Sequence, residues 1–247
     1  MFDWNRIIVP VALLWGLAGP VFASDEITLE ALSDADYEIT RDGAVQLICE
    51  READGQLFLA RAALLDLPGY EGGEYLLTAR HAVSDGAVAR LCRVRGVPVR
   101  FGAVTATEGA ELAEGQALEF EQDWALLRTA MALPGEHRRL PLAAFDVLPD
   151  GEVSLLKPAI VTEPCALLEP PEEEADPRLI FHSCDSLPGM SGTPLVALVA
   201  GEPHIVGIHL GGMIYLDRDG ARYSVARRVS DEVVTALLAA VETQTTP

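Results

Sequence analysis

The sequence predicts an all-β protein that closes on a single C-terminal helix. Between residues 45 and 229 the chain is a succession of short apolar runs broken by Gly, Pro and Asp. Many short strands at such close spacing build a barrel or a sandwich. Apolar residues make up 49% of the 247 residues, enough for a packed core. After residue 230 the period changes, and Val233, Leu237, Leu238 and Val241 recur at helical spacing.

Taken in order, the chain begins with a stretch that reads as a secretory signal. Arg6 and the terminal amine give a weakly positive start, and Ile7 to Ala18 is apolar. Val21-Phe22-Ala23 places small residues three before and one before a cut ahead of Ser24. The apolar stretch is short for a membrane span and is interrupted by Pro10, Gly16, Gly19 and Pro20. The alternative is an uncleaved anchor.

Candidate strands follow at Val45–Cys49, Gln56–Leu64, Tyr75–Ala79, Arg90–Arg95, Val97–Val104, Leu118–Phe120 and Trp124–Arg128. Residues 133–141 are polar and bracketed by Pro134 and Pro141, which marks a linker. A second set lies at Val153–Val161, Leu179–Ser183, Pro194–Val199, Ile205–His209 and Tyr223–Val229. Leu168 to Pro177 is acidic and proline-rich and reads as a solvated loop. Asp217-Arg218-Asp219-Gly220 suits a hairpin turn, with Gly supplying the positive φ. Ser230 can cap the final helix, whose first turn carries Asp231 and Glu232.

The formal net charge is −20. Such a surface repels phosphate backbones, so nucleic acid is not an expected partner. It suits solubility, or attraction of basic substrates. Lys157 is the only lysine. Four cysteines, Cys49, Cys92, Cys165 and Cys184, follow the signal, and an even count in an exported chain points to two disulfides. Three pairings are open; the expectation is one bridge within each half, Cys49 with Cys92 and Cys165 with Cys184. No Cys-x-x-Cys or histidine cluster suggests a metal, and no cofactor is implied.

The chemistry concentrates in Cys184-Asp-Ser-Leu-Pro-Gly-Met-Ser-Gly-Thr-Pro194. Ser191 sits in a Gly-Met-Ser-Gly turn, where Gly189 and Gly192 let the backbone bend sharply. A serine hydroxyl becomes a nucleophile only with a base beside it and donors for the oxyanion it creates. His81, in Thr-Ala-Arg-His, and Asp123, in Asp-Trp-Ala-Leu-Leu, offer the base and its partner. The order is His, Asp, Ser, with intervals of 42 and 68 residues.

These three segments, with Val206-Gly-Ile-His-Leu-Gly-Gly212, make the chain resemble a trypsin-like serine peptidase. More narrowly, it resembles the bacterial secreted branch that includes the glutamyl endopeptidases. The resemblance implies a chymotrypsin-like fold: two six-stranded antiparallel β-barrels packed face to face, the site in their cleft, and a C-terminal α-helix. The division expected is a signal peptide over 1–23, an N-terminal barrel over 24–132, the linker 133–141, a C-terminal barrel over 142–229, and helix and tail over 230–247. It implies that Ser191 attacks a peptide carbonyl, His81 moves the proton and Asp123 orients His81. It also implies that the Gly189 and Ser191 amides hold the oxyanion.

Departures from the family are specific. Met190 stands where trypsin-type zymogens carry the aspartate that pairs with a freed N-terminus, so that switch is not expected. Ala82 replaces the cysteine that often follows the histidine, and 55–74 lacks the usual Gly-Thr-Gly pattern. Two residues give opposite signals about the substrate pocket. Asp185, six before Ser191, is where trypsin-like enzymes bind Arg or Lys. His209 matches the histidine with which glutamyl endopeptidases meet a carboxylate, or it could pair with Asp185 itself. His137 is expected to face solvent, and His182 and His204 have no assigned role.

The function expected is therefore a secreted or periplasmic serine endopeptidase. Its partner is a polypeptide substrate, with no stable membrane association after signal cleavage and a monomeric state. The rivals are a non-catalytic binding module on the same fold, an esterase using the same triad, and a peptidase dedicated to one partner substrate.

Overall fold

The computed structural model describes residues 27–67, 73–85, 88–105, 122–157, 164–170, 176–215 and 221–245. In the first half lie β1 (Ala44–Glu50), β2 (Leu57–Leu64), β3 (Tyr75–Thr78), a separate pair β4 (Ser84–Asp85) and β5 (Val88–Ala89), then β6 (Leu91–Val94), β7 (Val97–Thr105) and β8 (Ala125–Thr129). In the second lie β9 (Glu152–Leu155), β10 (Cys165–Leu168), β11 (Leu179–His182), β12 (Pro194–Val199), β13 (Glu202–Tyr215) and β14 (Ala221–Arg228). Three α-helices, α1 (Asp34–Thr40), α2 (Arg80–Val83) and α3 (Asp231–Thr245), and a 3-10 turn at Arg41–Gly43 complete the described elements. The strands close into two antiparallel barrels, β1-β2-β3-β8-β7-β6 and β10-β11-β14-β13-β12-β9. Closure leaves no unpaired edge.

Alternation drives the first barrel. Along β1, Leu47 and Cys49 are buried while Gln46, Ile48 and Glu50 face out, the period of two that a half-buried strand requires. One core cluster joins the barrels: Leu77 and Trp124 of the first pack with Val196, Ile205 and Ile208 of the second. Val233, Leu237 and Val241 of α3 and Tyr37 of α1 seal the same cluster. Each such burial is worth about 2 kcal/mol.

The chain before β1 attaches to the second barrel. Leu29 bridges to Gly151 and Glu30 to Leu198. Helix α1 then starts at a reciprocal cap, Ser33 with Asp36.

Several elements differ from the sequence expectation. β10 falls where no strand was expected and supplies the sixth strand of its barrel. β9 ends at Leu155 rather than Val161, and β13 runs over Glu202–Tyr215 rather than Ile205–His209. Ser230 does not cap α3 through its side chain, because its buried hydroxyl has no hydrogen-bond partner. His137 is not solvent-facing: it bonds Glu74 at 3.0 Å with its side chain 13% exposed, beside Arg139, which holds the same carboxylate. The signal peptide, the strand expected at 118–120, residues 171–175 of the acidic loop and the turn at 217–220 lie outside the described residues.

Cys49 and Cys92 oppose each other on β1 and β6 and are joined by a disulfide, and a second joins Cys165 to Cys184. The second spans 19 residues. Removing it, as Cys165→Ala with Cys184→Ala, is expected to cost about 3 kcal/mol. Urea unfolding midpoints of the two proteins check this.

Candidate active site

His81 and Asp123 meet because of strand register. Thr78, the last residue of β3, pairs with Ala125, the first of β8. The chain leaving Thr78 and the chain arriving at Ala125 therefore run off the same end of the sheet. Three residues on, α2 presents His81; two residues back lies Asp123. The Asp123 carboxylate is buried and both its oxygens are engaged. Oδ1 accepts the His81 backbone N–H at 2.8 Å, and Oδ2 contacts His81 Nδ1 at 2.5 Å. This fixes the proton on Nδ1 and leaves Nε2 as an acceptor. The His81 side chain is 42% exposed.

Ser191 comes from the second barrel, on the turn entering β12. Gly192 N–H donates to His209 O and His209 N–H donates to Thr193 O, which pins this turn to β13. Arg61 N–H of β2 donates to Ser191 O at 2.9 Å, which pins it to the first barrel. Gly192 must be glycine here. Its φ is +85°, and a Cβ would sit 2.0 Å from Arg61 O and 2.2 Å from Thr78 Oγ1. The same contact brings the Ser191 turn against the strand that leads to His81.

The Ser191 hydroxyl donates to Leu210 O at 3.1 Å. That carbonyl is free because β13 bulges between His209 and Gly211, leaving Leu210 out of the ladder. Among the described residues Ser191 Oγ has no hydrogen bond to His81, and the Gly189 and Ser191 amides have no acceptor.

Beside Ser191 opens a cavity of about 540 Å³. Asp185, Ser186, His209, Gly212, Tyr223 and Ser224 are among its walls. Asp185 is exposed rather than buried in this cavity, and it does not pair with His209. The partner of His209 is His182, to which the sequence assigned no role. Both rings are buried, 0% and 1% exposed, and His209 Nδ1 lies 3.3 Å from His182 Nε2. Cys184 N–H donates to His182 Nδ1, so His182 carries its proton on Nε2 and donates it to His209. His209 Nε2–H is then the free donor, on a ring that lines the cavity. Alternation along β11 was the available signal for His182, since it places His182 on the inward face with Ile180.

No protein-family model matches the chain, and no curated protein matches it. Among solved structures, a thermostable serine protease from an extremophilic microorganism superposes with a TM-score of 0.56 at 14% identity, over 82% of this chain and 98% of that one. The fold is chymotrypsin-like. The tobacco vein mottling virus protease also matches, with a TM-score of 0.48 at 15% identity, over 81% and 83% of the two chains. At these identities the likeness concerns fold alone.

Within the chymotrypsin-like fold, the pocket histidines make a pH-dependent contribution to stability. Burial, reinforced by the field of Lys157 and His81, lowers His209 to about 4, and burial with His209 beside it pushes His182 well below its ordinary value. Both are neutral at pH 7, and folding opposes their protonation. Their contribution is complete above about pH 6.5, the unfolded value, and is lost as the pH falls towards 4. For His209 alone the loss is on the order of 3 kcal/mol. Thermal melts from pH 7 to 4 check this, and His209→Gln is expected to flatten the slope. Among the described residues no group of three His, Cys, Asp or Glu side chains could hold a metal ion.

Proposed function

We propose that the protein is a serine endopeptidase acting through Ser191, His81 and Asp123. The observation that carries this is the buried Asp123 carboxylate holding His81 by both backbone and ring, together with a Ser191 turn pinned against β2 of the same barrel. Ser191 Oγ turns from the Leu210 carbonyl to His81 Nε2, a rearrangement that substrate binding favours. His81 takes the proton as Oγ attacks the peptide carbonyl, and the Gly189 and Ser191 amides stabilise the oxyanion. His81 then gives the proton to the leaving amine. Water hydrolyses the acyl-enzyme by the same route in reverse.

The pocket supports a substrate side chain that accepts hydrogen bonds. A neutral His209 offers Nε2–H, and Ser186 Oγ, 3.4 Å from Ser224 Oγ, supplies a second hydroxyl at the wall. Exposed Asp185 is offset by half-buried Lys157, whose ammonium senses it. This favours Glu or Gln before the cleaved bond over Arg, in keeping with the resemblance to the glutamyl branch. The two disulfides and the leader-like residues 1–23 support an exported location, secreted or periplasmic.

Peptide amides with Glu, Gln, Arg or Phe before the bond test both parts. Cleavage of Glu and Gln substrates at least tenfold faster than Arg is the expected result. Preference for Arg would return the pocket to Asp185. Hydrolysis of esters but of no amide would make the protein an esterase.

A further inference from the structure

Resting on that reading, we propose that the outer face of the first barrel binds the part of the substrate that follows the cleaved bond, and that it selects an apolar residue followed by acidic ones. On the proposed reading, the cavity beside Ser191, walled by β11, β13 and β14, takes the residue before the bond. The departing chain must then leave over the opposite side of the Ser191 turn, and that side is β2. A methyl group built on Gly189 would lie 3.5 Å from Leu59 Cβ, and Arg61 N–H already bonds Ser191 O. Leu59 therefore borders the turn that carries the nucleophile, two residues before Arg61 on β2.

From Leu59 the exposed face continues without a break. Strand register places Leu59 opposite Ile48, and Ile48 opposite Arg93. Leu57 and Leu91 both face Glu50 in the next row. Leu57, Leu59, Leu91 and Ile48 are 63%, 56%, 61% and 46% exposed, an unusual concentration of bare apolar side chains on three neighbouring strands. Beside them a groove of about 590 Å³ is lined by Arg61, Arg93 and Arg95, with Asp42 as its one acid.

Two features fix the occupant. The face is continuous with the nucleophile's turn, so a bound substrate crosses it. Its charge is inverted relative to the chain: three arginines against Asp42 and Glu50, on a protein of net charge −20. Among the described residues neither Arg61 nor Arg93 pairs with a carboxylate, and Arg95 donates only to the carbonyls of Pro134 and Glu136. Guanidinium groups that hold no carboxylate among the described residues, next to leucines, suit a segment with an apolar residue near the bond and Asp or Glu beyond it.

The test is cut-site mapping by mass spectrometry on a peptide library from a digested proteome, with fluorophosphonate labelling of the same samples as a reference. Labelling needs nothing on the leaving side and reports the nucleophile alone. Expected is enrichment of Leu, Ile, Val or Phe in the first two positions after the bond and of Asp or Glu in the following four. Arg93→Glu should remove the acidic enrichment and lower kcat/KM on the best such peptide roughly fivefold or more. Leu59→Ser should weaken the apolar preference. Raising the salt should erode the acidic preference in the wild type. A labelled, cutting enzyme with a flat profile after the bond, or one unchanged by Arg93→Glu, overturns the proposal while leaving the peptidase reading intact. Absence of both labelling and cutting removes the peptidase reading, and the proposal with it. A dimer broken by Leu57→Glu would assign the face to a second copy of the chain and equally overturn it.

Discussion

Ser191→Ala is expected to lower kcat on a cleavable peptide amide by about 10⁶, and His81→Ala by a similar factor, because in the proposed mechanism nucleophile and base act as one unit. Asp123→Asn is expected to lose about 10⁴. The reason for the smaller loss is visible in the contacts. An asparagine can still accept the His81 backbone N–H, as Oδ1 does now at 2.8 Å. Its amide cannot accept from Nδ1, where Oδ2 now sits at 2.5 Å. The ring then carries its proton on Nε2 and ceases to be a base towards Ser191. Melting temperatures measured alongside kcat separate this from unfolding. Ser191→Ala removes only a hydroxyl bonded to Leu210 O and should leave stability within about 1 kcal/mol of wild type.

Gly192→Ala is the second large effect, and it acts through the backbone. The added methyl would overlap Arg61 O and Thr78 Oγ1 at a φ where side chains are already strained. Strain and overpacking together cost about 3 kcal/mol or more. The turn cannot relax freely, since Gly192 N–H, Thr193 O and Ser191 O are all bonded to neighbouring strands. Displacement of Ser191, and with it loss of turnover, is therefore expected even where the protein still folds. Gly189→Ala provides the contrast. Its φ of +86° is as unfavourable, but the nearest atoms to its Cβ stand at 3.5 Å. It should cost about 1–2 kcal/mol and affect turnover through the amide proposed to hold the oxyanion. Denaturation midpoints and kcat for both variants check the difference.

What the sequence reveals follows how local each signal is. Strands such as β1 and β12 are legible because apolar runs and turn residues bound them within a few positions. β10 is not, because its four residues run into Glu169-Pro170, and the acidic stretch dominates the reading. Helix α1 carries a short-range signal, Ser33 with Asp36, that composition alone does not weigh. The extension of β13 to 14 residues depends on pairing with β12 at its start and β14 at its end, contacts between strands rather than properties of the segment.

The site divides the same way. Ser191, His81 and Asp123 stand out because their chemistry is unusual in its local setting: a serine between glycines, a histidine leaving an apolar strand, an aspartate entering one. The pocket is less legible. Asp185 stands out by its place before Ser191, yet the structure exposes it and turns His209 towards His182, 27 positions away in sequence. That pairing arises from β11 and β13 each pairing with β14. No spacing rule within one segment reports it. The Leu210 carbonyl that holds the resting serine is also hidden, because it is freed by a bulge and not by a residue type.

Whether His81 activates Ser191 is read out by covalent labelling of the folded, disulfide-bonded protein with a fluorophosphonate probe, with the modified residue located by mass spectrometry. One adduct is expected, on Ser191, lost in both Ser191→Ala and His81→Ala. A correctly folded wild type that takes up no label, or one labelled equally in His81→Ala, would contradict it, because Ser191 would then not be a nucleophile activated by His81.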